Sequence, residues 1–155
     1  MLNKLRRCER GASIVEMALA APILAALLIG MTDISRAYSM KLQLVQASQR
    51  TIEKLQQMSA PADPNNSSTI STEGANAATA AGYTGSTVTV TYRNECNGTA
   101  TTNYTDSCTT GQTQMKYVVV QISNSFTPMF GVTYFPTHNA NGTVTLSGQA
   151  GIRVQ

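Results

Sequence analysis

Charge is scarce in this 155-residue chain: Asp, Glu, Lys and Arg together make up 12% of it, and it contains a single histidine. One histidine excludes a multi-histidine metal centre and leaves any Ser-His-Asp arrangement dependent on His138. That residue lies in a Thr/Asn-rich stretch, where a solvated side chain is the plainer reading. No phosphate-binding Gly-rich loop is present, and Asp63 and Asp106 fall in unpatterned segments. The three cysteines, Cys8, Cys96 and Cys108, form no C-x2-C pair with further Cys or His ligands, so zinc is not expected. The chain therefore reads as a non-enzyme with no catalytic residue, cofactor or metal. Its abundance of Thr, Ser, Asn and Gly suits one exported, β-rich domain better than a cytosolic enzyme.

The net charge of +3 invites a nucleic-acid reading until its location is considered. Lys4, Arg6, Arg7 and Arg10 against Glu9 supply all of it, because the rest of the chain holds seven basic and seven acidic residues. A nucleic-acid surface carries its charge on a folded face, so none is expected here.

Behind the basic tip runs an uncharged segment, Met17 to Thr32. As a helix its 16 residues reach about 24 Å, short of a bilayer core of about 30 Å. Extension back to Ala12 gives 21 residues and about 31 Å, enough to span. Glu16 then lies near the cytoplasmic edge, where a charge costs less than at mid-membrane. The preceding Lys and Arg residues keep the N-terminus cytoplasmic, so the chain after Asp33 is exported. A secretory signal peptide would need a small-residue cleavage site, and Ser35-Arg36-Ala37 is a poor one. A plain anchor and a pilin-type leader remain.

The segment Arg10-Gly11-Ala12-Ser13-Ile14-Val15-Glu16-Met17-Ala18-Leu19 resembles the start of TadE/TadG-type pseudopilins of tight-adherence (Flp) pilus systems. The similarity continues through Pro22 and the stretch from Gly30 to Tyr38, covers roughly residues 8–50, and touches the closing Val144–Val154 loosely. It implies cleavage by a prepilin peptidase between Gly11 and Ala12, leaving Glu16 as the fifth mature residue. Met17 departs from the Phe or Tyr that many members carry there, which argues against a major pilin. The implied partners are the peptidase, other pilins or pseudopilins, the assembly platform and the membrane. The implied location is the bacterial inner membrane, single-pass, with the C-terminal domain periplasmic or carried to a pilus at the cell surface.

Glu16 has two readings. Ser13-x-x-Glu16 fits a capping box at a helix start. Alternatively the carboxylate pairs with an α-ammonium, its own or that of a neighbour's Ala12, which would fix the axial register of one subunit on the next. Ala21/Ala25 and Ala26/Gly30 have the four-residue spacing that lets membrane helices approach, though alanine is also a common apolar filler. Pro22 would free the carbonyl of Ala18.

Residues 33–58 continue as an amphipathic helix, with Ile34, Tyr38, Leu42, Val45, Ile52 and Leu55 expected to face a sheet. The whole helix would measure about 70 Å. Residues 59–82 read as a linker or long loop. Within residues 83–155, alternation predicts strands at Thr87–Tyr92, Lys116–Ser123, Thr143–Ser147 and Gln149–Val154, the last two separated by Gly148. The expected fold is α+β and pilin-like: a long N-terminal helix packed on an antiparallel sheet of three to five strands. Phe126 to Pro136 is the densest apolar cluster outside the membrane, covering a core end or meeting another subunit. Cys96 and Cys108 are two free thiols or, in an oxidising exported location, a disulfide contributing about 2–3 kcal/mol. The resemblance makes this a minor pseudopilin; the rival is a membrane-anchored or secreted adhesion domain that never enters a filament.

Overall fold

A helix of 48 residues, α1 (Glu9–Gln56), forms the spine of the computed structural model. The structure describes residues 9–58, 61, 63–131 and 135–154, with side-chain surroundings from Ser13 onward. Alanine and leucine are the commonest residues in the first half of α1, and the helix continues through Pro22. It closes by tightening. The amide of Gln57 donates to the carbonyl of Lys54 (3.0 Å) and that of Met58 to Leu55 (3.1 Å), i to i+3 bonds that satisfy two terminal carbonyls.

The stretch 59–82, expected as a loop, contains a 3-10 turn (Pro64–Asn66) and a second helix, α2 (Ser67–Ala80). Asp63 starts the turn by accepting the Asn65 amide at 2.9 Å. Helix α2 buries Ile70, Gly74 and Ala78, four residues apart, on one face. Two of the three are small, so hydrophobic periodicity does not register them. Their smallness is what lets the helix approach the sheet: a Cβ on Gly74 would stand 2.8 Å from Cγ1 of Val88. Lys54 of α1 and Glu73 of α2 form an ion pair across the helix–helix seam.

Four antiparallel strands follow: β1 (Thr87–Cys96), β2 (Thr99–Ala100), β3 (Gln114–Phe126) and β4 (Val144–Arg153), in spatial order β2-β1-β3-β4. Register aligns the inward residues across the sheet. Val88 faces Ile122, Val90 faces Val120 and Tyr92 faces Val118. On the other side Ile122 faces Gly148, Val120 faces Ala150 and Val118 faces Ile152. Val118, Val120 and Ile122 are fully buried beneath the two helices, with α1 over β4 and β3 and α2 over β1. The opposite face, with Thr87, Thr89, Thr91, Arg93, Gln149 and Arg153, is exposed. The α+β architecture is thus the one the sequence implies.

Two details differ from the sequence reading. Gly148 does not separate two strands but sits inside β4. A Cβ there would collide with the backbone nitrogen of Val45 and the carbonyl of Leu44, whose oxygen would be 2.7 Å away. The Ser48 hydroxyl bridges this contact at 3.0 Å from the carbonyls of both Gly148 and Leu44. Second, the expected stripe on α1 holds at Ile52 and Leu55, which are buried, and at half-buried Val45, but its first half is rotated. Ile34, Tyr38 and Leu42 are exposed, while Asp33, Ala37, Met40, Leu44, Ala47, Ser48, Thr51, Ile52 and Leu55 are buried. Small and hydroxyl-bearing residues occupy the seam because the backbone of β4 comes so close.

Candidate functional site at the helix exit

The N-terminal part of α1 makes it long and apolar enough to cross a membrane, so it is able to serve as an anchor. Ile14, Val15, Met17, Leu19, Ile23, Leu24, Leu27, Leu28 and Met31 are all more than half exposed in the isolated chain. In water such a surface would be costly, at roughly 25 cal/mol per Å² of apolar area. In lipid it is matched to its solvent.

The sequence-selected residues lie along this helix. Gly11 and Ala12 belong to α1 by backbone, but their side-chain surroundings, like residues 1–8 of the leader, lie outside the described residues. Ser13 is already inside the helix, which begins at Glu9, so the Ser13/Glu16 pair does not cap the uncleaved helix. Glu16 is exposed on the helix surface. Ala21, Ala25 and Ala26 are exposed, and Gly30 has nothing within 4 Å of the place a Cβ would take. At 100° per residue the two small-residue pairs face directions about 140° apart, so they cannot serve one partner helix together.

Sequence reasoning undervalued Asp33. It treated the residue as a boundary mark, yet Asp33 is 5% exposed and is the most connected carboxylate of the region. Both of its oxygens accept the amide of Met129 at 3.1 Å, and Oδ2 also accepts the amide of Phe130 at 3.2 Å. Arg36, one turn on, places a guanidinium nitrogen 3.5 Å from Oδ1 and stands 5.6 Å over the ring of Phe126. A buried carboxylate is tolerated only when paired and hydrogen-bonded, and here the helix charge is met by loop amides and a neighbouring cation. The contact ties the end of β3 to the helix, where the apolar run stops.

Residues 11–52 match the family model described as TadE-like protein. Over this stretch the chain is similar to TadE-like proteins. The match ends within α1, so α2 and the sheet lie beyond it. Neither the curated proteins nor the solved structures yield a match to the chain. The matched segment contains the apolar run that makes α1 long enough to cross a membrane. It includes Asp33, Arg36 and the sheet-facing seam through Ile52, and so carries both the membrane half and the domain-docking half of α1.

The apolar cluster after β3 divides at this junction. Phe126, 6% exposed, packs against Phe135 with ring centroids 6.1 Å apart and closes the core. Pro128 is buried, whereas Met129 and Phe130 point outward. At the far end of the sheet, Cys96 and Cys108 form a disulfide with Cα atoms 5.6 Å apart. That bond pins the 101–113 loop, as does buried Asn94, whose side-chain amide donates to the carbonyl of Asp106 at 2.8 Å. Asn97 and Gly98, both with positive φ, make the two-residue turn between β1 and β2. The Asn-Gly dipeptide is the sequence signal for this turn. Tyr92 and Tyr104 meet edge to face at 5.2 Å, with the Lys116 ammonium 5.2 Å from the Tyr104 ring. Burial raises the pKa of both phenols, and the negative charge of Asp63 adds to the effect on each.

Proposed function

We propose that the protein is a minor, pseudopilin-like structural component of a tight-adherence pilus or secretion system. In this reading a prepilin peptidase cuts between Gly11 and Ala12, the chain lies N-in across the inner membrane, and the domain after Asp33 is periplasmic. The observation that carries the reading is the family match, which starts at Gly11, the residue preceding the bond selected from the sequence. A protease that approaches the backbone closely tolerates a residue without Cβ.

Assembly proceeds through α1. Met31, Ile34, Tyr38 and Leu42, at steps of three and four, form an apolar stripe that continues out of the membrane half and faces away from the sheet. An exposed stripe on a helix that already has its own domain packed on another side fits a neighbouring subunit. In this reading Glu16 pairs with the α-ammonium of Ala12, its own or that of the neighbour. In this reading the protein is a structural part of the assembly, and His138 is an exposed side chain of the 136–142 loop.

Mass spectrometry of the mature N-terminus tests the cleavage. A terminal peptide beginning at Ala12 is expected when the chain is expressed with its peptidase. An intact Met1 would mean a plain anchor, and a start at Tyr38 or Ser39 would mean ordinary secretion; either removes the pseudopilin reading.

A further inference from the structure

Among the described residues, every large apolar side chain that is strongly exposed lies on α1, with two exceptions: Met129, 67% exposed, and Phe130, 46% exposed. The rest of the domain surface is dominated by Thr, Ser, Asn and Gln, so these two are not part of a general apolar coat. Their position is fixed. Asp33 accepts both of their amides, and Asp33 is the first residue after the uncharged run that ends at Thr32. If α1 spans the bilayer, the tip of this loop therefore stands beside the helix at the level where hydrocarbon gives way to headgroups.

From this placement we propose that the 127–131 loop is a second membrane contact: an apolar foot, inserted into the outer face of the bilayer by Met129 and Phe130 and held at that depth by Asp33. The inference rests on the reading of α1 as a membrane span. Three features of the loop suit a lipid occupant. The segment from Phe126 to Gly131 contains no charged residue. Backbone near lipid must have its amides satisfied, and the two amides at the tip already donate to a carboxylate. Arg36, whose side chain is 52% exposed, sits one helical turn further out, at the depth of lipid phosphates. The 127–131 loop would thus rest on the membrane and limit the tilt of the sheet relative to the helix.

The protein has no tryptophan, so a single one reports its own surroundings. Full-length chain carrying Phe130→Trp is reconstituted in phosphatidylcholine–phosphatidylglycerol vesicles, beside Leu27→Trp as a mid-span reference and Thr89→Trp on the exposed sheet face as an aqueous one. Lipids brominated near the headgroup end of the acyl chain should quench the Phe130→Trp emission to half or less. Aqueous iodide should quench it several-fold less than Thr89→Trp. Adding Asp33→Ala should abolish the lipid quenching and restore iodide access. If Leu27→Trp is quenched by lipid bromine but Phe130→Trp is as open to iodide as Thr89→Trp, the foot does not exist although the span does. If Phe130→Trp is shielded from iodide yet insensitive to bromine, protein and not lipid covers it, and the proposal is overturned. Unchanged lipid quenching with Asp33→Ala would overturn the role of Asp33. Failure of Leu27→Trp to respond to lipid would overturn the span, and the foot with it.

Discussion

Replacing Gly148 with alanine tests the closest backbone approach at any glycine among the described residues. The added methyl would overlap the main chain of α1 at Val45 and Leu44, with the Leu44 oxygen at 2.7 Å, and backbone atoms cannot rotate out of the way. Helix and strand must separate instead. Overpacking of this kind costs about 1–3 kcal/mol. Separation also lengthens the Ser48 bond to the Gly148 carbonyl, now 3.0 Å, worth about 1 kcal/mol. The expected loss is therefore about 2–4 kcal/mol. At about 4–8 °C per kcal/mol for a small domain, it should lower the melting temperature by at least about 8 °C. Far-ultraviolet circular dichroism of the full chain in detergent, with the disulfide intact, measures it. Two other glycines calibrate the result. At Gly74 the obstacle is the movable side chain of Val88, and alanine gains about 1 kcal/mol of helix propensity, so the two effects should nearly cancel. At Gly30 nothing stands within 4 Å, and domain melting should not change. A Gly148→Ala variant within about 0.5 kcal/mol of the parent would refute the close approach of α1 to β4, since that is the scatter of ordinary surface substitutions.

Other perturbations address separate parts of the structure. Tyr104→Phe removes a buried hydroxyl that has no hydrogen-bond partner among the described residues, and should raise stability by about 1 kcal/mol in a denaturant titration. Cys96→Ser with Cys108→Ser should cost about 2–3 kcal/mol in the same assay, and reductant should reproduce the loss in the parent. Because Tyr92 and Tyr104 have raised pKa values, the unfolded chain releases these protons first. Their stabilising contribution is complete below about pH 10 and declines as pH rises through the folded-state values; tyrosinate absorbance should show two late-titrating phenols, and Tyr104→Phe should remove one. Glu16→Gln should leave cleavage after Gly11 intact but deplete the protein from sheared pilus fractions; normal assembly would remove the proposed pairing with the Ala12 ammonium.

Strands were legible where one face is uniformly apolar. Val88, Val90 and Tyr92, and Val118, Val120 and Ile122, form two rows whose alternation predicts the register that pairs them. Helix α2 was illegible for a physical reason. Its buried row is Ile70, Gly74 and Ala78, and a row selected for closeness instead of hydrophobic area leaves no periodic signal. Gly148 misled in the same way. Glycine inside a strand reads as an interruption, but here it marks where another backbone approaches.

The misassigned first half of the α1 stripe follows from what periodicity can and cannot encode. Ile34, Tyr38 and Leu42 are apolar at helical spacing, which establishes that something covers them but not that the cover is the chain's own sheet. The sheet instead takes the row of Ala37, Leu44, Ala47 and Ser48, because Gly148 permits an approach that larger side chains would block. A helix with two such faces has more apolar surface than its own domain can bury. In a self-contained soluble protein the surplus would be a liability. Here it falls within residues 11–52, the segment that matches the TadE-like family model. The same logic places Asp33: a charge at the end of an apolar run looks like a boundary in sequence, and only the folded chain, which returns 96 residues later to donate the Met129 amide, makes it a tether.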